Sequence, residues 1–186
     1  MEGTTWFSNR GFTESAREAL AASQELVRRY QHSQWDIEHL LRTLLDQDEG
    51  VPAQVLRQLG IDVGAFKLRV EEGLENIAKL QYKATQVYQT PRSARLLENT
   101  RSEAERFKDE YIGTEHLFIG VTQERTGDSA QLLREFGVDT EKVYQALAFV
   151  HGAQRHVENP LSNRILGDEF GDGDHVIVDA TKEVRN

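Results

Sequence analysis

The chain has 186 residues, a formal net charge of −9, 38% hydrophobic residues and no cysteine. Such a length and composition suit one globular domain, or two small ones, with a buried core. The missing thiols exclude disulfides, thiol catalysis and zinc–thiolate sites, and they fit a reducing compartment such as the cytoplasm. The acidic balance argues against nucleic acid, whose phosphates want a basic face, and favours basic peptides or cationic side chains as partners. No apolar run approaches the roughly 18 residues that span a bilayer, so no membrane partner is expected.

Residues 1–11 read as an N-terminal extension. The opening MEGTTWFSNRG lacks a basic stretch followed by an apolar one, so no secretory signal is expected there. Phe12, Ala16, Leu20, Val27 and Tyr30 recur at helical spacing and predict a first helix, with Thr13 as its cap. Ile37, Leu40, Leu41, Leu44 and Leu45 form an amphipathic stripe that predicts a second. A short third helix is expected with Pro52 near its start, ending at Gly60, a residue suited to a left-handed terminus. Asp62 then caps a fourth. Residues 81–89 are polar and read as a linker.

The same plan then repeats. Residues 13–62 align without a gap on 90–139, an offset of 77, with 13 of 50 positions identical. Identical pairs include Thr13/Thr90, Arg29/Arg106, Gly50/Gly127 and the Glu38-His39-Leu40/Glu115-His116-Leu117 block. Thr90 is expected to cap the second copy's first helix, with Pro91 at its first position. Leu117, Phe118 and Val121 mark the second helix, Asp128 is the expected cap of the third, and Asp139 caps the fourth after Gly137. The expected architecture is all-α, a pseudo-twofold tandem of two four-helix units, 12–80 and 90–155, packed face to face. A tail over 156–186 carries a short helical stretch from Asn159-Pro160 to Leu166, turn signals, and one candidate strand, His175–Asp179.

Phe12-Thr13-Glu14, Thr90-Pro91-Arg92, Tyr111-Ile112-Gly113-Thr114-Glu115-His116-Leu117 and Gln131 to Val138 together resemble the N-terminal domain of the Clp ATPases, the ring-forming unfoldases and disaggregases. The resemblance covers roughly residues 10–155. The tail, from Asn159 to Asp179, is similar to the end of the second ATPase module of those proteins. No Gly-x-x-x-x-Gly-Lys-Ser/Thr loop occurs in these 186 residues, so no phosphate-cradling nucleotide site and no cofactor are expected. The resemblance implies a binding module without motor or enzymatic activity, one that receives protein substrates or adaptors of the Clp system. In the branch carrying Gly-Thr-Glu-His it implies recognition of phosphorylated arginine, once per repeat.

The residues assigned to that role are Thr13, Glu38, Thr90 and Glu115. A glutamate carboxylate accepts two N–H bonds from a guanidinium group, and a helix N-terminus offers free N–H groups to a phosphate. The same residues have simpler uses. Thr13 and Thr90 serve as caps in any case, Glu38 has Arg42 at i+4, and Glu115 lies in a first helical turn, where acids are favourable. The first copy also departs from the family pattern, with Trp35-Asp36-Ile37-Glu38 in place of Ile-Gly-Thr-Glu; the bulk of Ile37 and the charge of Asp36 work against a phosphate there. His39 and His116 read as structural, and no metal site is expected, since neither i, i+4 histidines nor a third ligand is visible. His151, His156 and His175 lack ligand spacing, and Trp6 and Trp35 read as packing residues. The competing expectation is a structural accessory subunit that docks on a Clp protease or ATPase ring, its tail strand completing a sheet in another subunit.

Overall fold

The structure is a computed structural model, and it describes residues 11–47, 49–81 and 86–152. Trp6, His156, His175 and the expected tail helix and strand lie outside the described residues. Two compact units are distinguished, Met1–Leu147 and Ala148–Asn186. In the second, residues 148–152 are helical.

The first unit contains α1 (Glu14–Arg29), β1 (Gln34–Trp35), α2 (Ile37–Leu44), α3 (Val51–Gln58), α4 (Val63–Glu75), β2 (Tyr88–Gln89), α5 (Pro91–Phe107), α6 (Thr114–Thr122) and α7 (Gly127–Glu135). A further helix, α8, begins at residue 140 and runs to the end of that unit. The helix starts match their sequence signals. Thr13 Oγ1 accepts from the Ala16 N–H at 3.3 Å, and Thr90 Oγ1 from the Ser93 N–H at 3.1 Å. Asp62 and Asp139 cap α4 and α8 through bonds of 2.7 and 2.9 Å. Both α1 and α5 are followed by a left-handed residue that is not glycine, Gln31 (φ 58) and Lys108 (φ 61), at positions related by the 77-residue offset. Gly60 and Gly137 follow α3 and α7 at φ +75 and +68, where a side chain is disfavoured.

One cap differs from expectation. Thr126, not Asp128, is the N-cap of α7. The Asp128 carboxylate instead accepts two bonds from Arg69 on α4, at 2.9 and 3.0 Å, and Arg69 also reaches Glu135 at 2.9 Å. A doubly bonded guanidinium is a better partner for that carboxylate than a backbone N–H.

Two short extended pairings stitch the copies together. β1 and β2 are parallel, with Gln34 opposite Tyr88 and Trp35 opposite Gln89. Phe12 and Ile112 form an isolated parallel bridge. Moving both pairs by 77 residues exchanges them: Trp35 becomes Ile112, and Phe12 becomes Gln89. The bonds that follow match as well. The Thr90 N–H donates to the Trp35 carbonyl at 3.1 Å, and the Thr13 N–H to the Ile112 carbonyl at 3.0 Å. Strands of two residues are too short to leave a periodicity in the sequence, so residues 12–155 read as helices alone.

The copies interlock rather than meet along two flat faces. Seven of the eight residues of α2 and eight of the nine residues of α6 are buried. A helix buried on nearly every side needs neighbours all round, and one four-helix unit cannot supply them. So α1 packs on α2 and α5 on α6, while the third helix of each copy packs on the second helix of the other, α3 on α6 and α7 on α2. Gly120 allows α6 to approach α5, since a Cβ there would lie 2.6 Å from Thr100 Oγ1 and 3.3 Å from the Leu96 carbonyl oxygen.

The two Glu-His histidines share one structural task. His39 Nδ1 accepts from the Asp36 N–H at 3.1 Å, and His116 Nδ1 accepts from the Gly113 N–H at 2.9 Å, each closing the first turn of its helix. With Nδ1 accepting, the hydrogen-bond network places the His39 proton on Nε2, which donates to Nδ1 of the buried His32 at 2.8 Å. His116 Nε2 faces Asp109, the counterpart of His32, at 3.1 Å. Burial and the neighbouring His32 lower the His39 pKa from 6.5 to about 4, and burial lowers that of His32 too. A histidine held neutral in the folded state stabilises it fully above pH 6.5 and loses that contribution as pH falls toward 4. Unfolding free energy is expected to drop by about 3 kcal/mol across that window. Glu38, whose pKa is lowered, adds to the loss at the acid end. Urea unfolding at a series of pH values checks this, and His39→Asn, whose amide oxygen still accepts from the Asp36 N–H, should flatten the profile.

Candidate functional site

The interlocking brings residues of both copies together at the start of α2. Asp36 is the N-cap there, and Glu38 occupies the first turn, 4% exposed. The strand pairing lays the start of α5 against them. Thr90 Oγ1 donates to Asp36 Oδ1 at 2.8 Å. Arg92 Nη2 donates to both Glu38 oxygens, at 2.9 and 3.1 Å, its Nε lies 3.3 Å from Asp36 Oδ1, and Nη1 donates to the Thr126 carbonyl at 2.9 Å. The Ser129 N–H, in the first turn of α7, donates to Glu38 Oε1 at 3.1 Å. Glu38 is thus held by a cation and a helix N-terminus at once. Burial works to raise its pKa, but the Arg92 guanidinium and the Ser129 N–H outweigh burial and hold the carboxyl below the usual range. Arg92 responds in kind: burial opposes its charge, and Glu38 and Asp36 restore it. A cavity of about 250 Å³ opens beside this cluster, lined among others by Asp36, Glu38, Gly73, Thr90, Arg92 and Asp128.

The Glu38–Arg42 pair that spacing alone suggests does not form. Arg42 turns instead to Asp46, one turn further on, and to Glu71 of α4. Arg92 appears in the Thr-Pro-Arg motif, yet nothing local marks its target, which lies 54 residues away in sequence.

The corresponding place at α6 is built from the counterparts of these residues and behaves differently. Thr13 caps α1 and bonds the Ile112 carbonyl, three residues before Glu115. So both threonines bond across the copies: Thr90 to the start of the first copy's second helix, Thr13 to the segment that leads into the second copy's. Glu115 is the only residue of α6 outside its buried set, with 22% of its side chain exposed. The counterpart of Arg92 is Ser15, that of Asp36 is Gly113, and that of Ser129 is Pro52, which has no N–H to donate. Among the described residues no lysine or arginine pairs with Glu115. Its nearest charged-type partner is His116, with Nδ1 3.6 Å from Oε1. Asp109, Glu115 and His116 each bring one potential metal-ligand atom within 4.8 Å of the others. His116 Nδ1 is taken by the Gly113 N–H, which places the ring proton on Nε2, so the neutral imidazole offers no free lone pair to a shared ion.

Residues 11–136 match the family described as the Clp repeat (R) N-terminal domain. The chain belongs to that family. The chain is 33% identical over 143 residues to a chaperone protein ClpB of Oceanobacillus iheyensis, and 34% identical over 143 residues to the negative regulator of genetic competence ClpC/MecB of Bacillus subtilis. Each alignment covers 76% of this chain but only 17% of the relative, so the chain spans less than a fifth of these proteins' length. Among solved structures, the Hsp104 N-terminal domain of Candida albicans superposes with a TM-score of 0.69 at 16% identity, covering 78% of this chain and 94% of that one. A ClpV N-domain solved in complex with a VipB peptide superposes with a TM-score of 0.60 at 19% identity, covering 74% and 85%. At such identities the likeness is one of fold. No helix among the described residues is long and apolar enough to cross a membrane.

The two glutamates of the repeat therefore carry different loads. Glu38→Ala removes one partner of a buried, multiply bonded ion pair and is expected to cost about 3 kcal/mol. Glu115→Ala removes a partly exposed carboxylate that has no lysine or arginine partner among the described residues, and should stay within about 0.5 kcal/mol of the parent. Urea denaturation of the two variants side by side checks the difference.

Proposed function

We propose that this Clp N-domain is a non-catalytic binding module for protein substrates or adaptors of the Clp system, and that its acceptor site for a phosphorylated arginine side chain lies at Glu115. The observation that carries the reading is the state of Glu115: partly exposed, at the first turn of an otherwise buried helix, and without a lysine or arginine partner among the described residues. A carboxylate so placed accepts a guanidinium fork from outside. The start of α1, capped by Thr13 and tied to Ile112, offers N–H groups for an attached phosphate. Family membership and the ClpV N-domain solved with a peptide support the broader part of the reading, a domain that takes protein ligands. Residues 12–80 and 90–155 are taken as the two repeats, 81–89 as the linker between them, and 1–11 and 156–186 as terminal segments.

Isothermal calorimetry with a phosphoarginine peptide tests the site. The parent protein should bind with measurable heat, an unphosphorylated arginine peptide should bind more weakly, and Glu115→Ala should abolish the phosphoarginine signal while leaving the fold intact. Unchanged affinity in Glu115→Ala removes the site. The non-catalytic part is tested the same way: no ATP binding is expected, and micromolar affinity for ATP would overturn it.

A further inference from the structure

The same glutamate stands at two pseudo-equivalent places, and the difference between them is what surrounds it. At Glu38 the seat for a guanidinium is already filled. Arg92 Nη2 donates to both carboxylate oxygens, Nη1 donates to the Thr126 carbonyl, and Nε faces Asp36 Oδ1. The chain makes room for it: Gly127, at φ +84, lies so close that a Cβ there would come within 1.3 Å of Arg92 Nη1. Such a bonded guanidinium occupies the position an arginine from another chain would have to take. Beside it the cavity of about 250 Å³ remains, reaching Glu38, Thr90 and Arg92. At Glu115 the residue matching Arg92 is Ser15, too short to reach the carboxylate as an arginine does, and the seat has no internal occupant among the described residues.

We propose that Arg92 is a tethered internal ligand of the Glu38 site, a guanidinium supplied by the chain itself, so that the protein presents one open guanidinium acceptor, at Glu115, and one that is self-occupied. The self-occupancy stands on the geometry at Glu38. The count of open acceptors rests on the function proposed above. The tether sets a high effective concentration of the internal ligand, so an external arginine at ordinary concentration does not displace it.

The test is chemical rescue of Arg92→Ala. That variant should lose roughly 10 °C in Tm, because Glu38 is left buried without its cation. Methylguanidinium chloride should restore part of the loss in a saturable way, as a ligand that binds only the folded state does. Equimolar methylammonium chloride, a cation without the planar fork, should restore less, and the parent protein, in which only the Glu115 acceptor is open, should be stabilised by methylguanidinium less than the variant is. Absence of rescue, or equal shifts in variant and parent, overturns the proposal. Where Arg92→Ala does not fold, Arg92→Lys keeps a charge at Glu38 while giving up the fork; it should show the same preference for methylguanidinium, and no preference overturns the idea. Stoichiometry supplies an arm in the parent protein: one phosphoarginine bound per chain supports a closed Glu38 site, and two overturn it. No phosphoarginine binding at all overturns the acceptor role of Glu115, while the rescue arm still decides whether Arg92 fills an arginine seat.

Discussion

Two crossed backbone pairings organise this molecule. The Thr90 N–H on the Trp35 carbonyl, and the Thr13 N–H on the Ile112 carbonyl, hold the start of each copy's first helix against the start of the other copy's second helix. The pairings are short, but they are placed where α2 and α6 begin, and those helices are buried almost all round. A helix of that kind has no solvent face on which to slide, so its terminus is fixed in depth and rotation once the neighbours are packed. The candidate site follows from this: the residues that meet Glu38 belong to α5 and α7, and Thr13, just before α1, is tied to the segment that leads into Glu115.

Duplication gave both copies the same cap-and-histidine frame. Position 39/116 is a histidine that closes the first turn through Nδ1 in each. The frame then diverged in its outer partner. His32 receives the His39 Nε2 proton, and at the equivalent position Asp109 faces His116. In the first copy this makes a neutral, buried imidazole pair that resists protonation, as the lowered pKa values of both rings reflect. In the second copy a carboxylate takes that place, and it sits at the surface, 51% exposed.

Glu38 and Glu115 show the same logic with functional weight. One substitution pair, Ser15/Arg92, supplies or withholds a guanidinium. Another, Pro52/Ser129, withholds or supplies a helix N–H. A third, Asp36/Gly113, adds or removes a second carboxylate. All three push Glu38 toward an internal, satisfied role and leave Glu115 partly exposed, without an internal cation among the described residues. Retention of the glutamate itself is uninformative about function, because an N-terminal-turn carboxylate is favourable in both settings.

The sequence by itself determined the helices, their caps and the duplication, because these depend on residues three or four apart: Thr13 on Ala16, Asp62 on Ala65, Gly60 after α3. It also named the family, since the motifs that carry the resemblance are contiguous. It misplaced the α7 cap because Asp128 is claimed by Arg69, 59 residues away. It paired Glu38 with Arg42 because i+4 is the nearest cation in sequence, while the true partner arrives only when α5 is laid against α2. The face of a helix follows from local periodicity, but which charge fills which seat depends on chain segments that become neighbours only after the two copies interlock, and tertiary structure alone decided that.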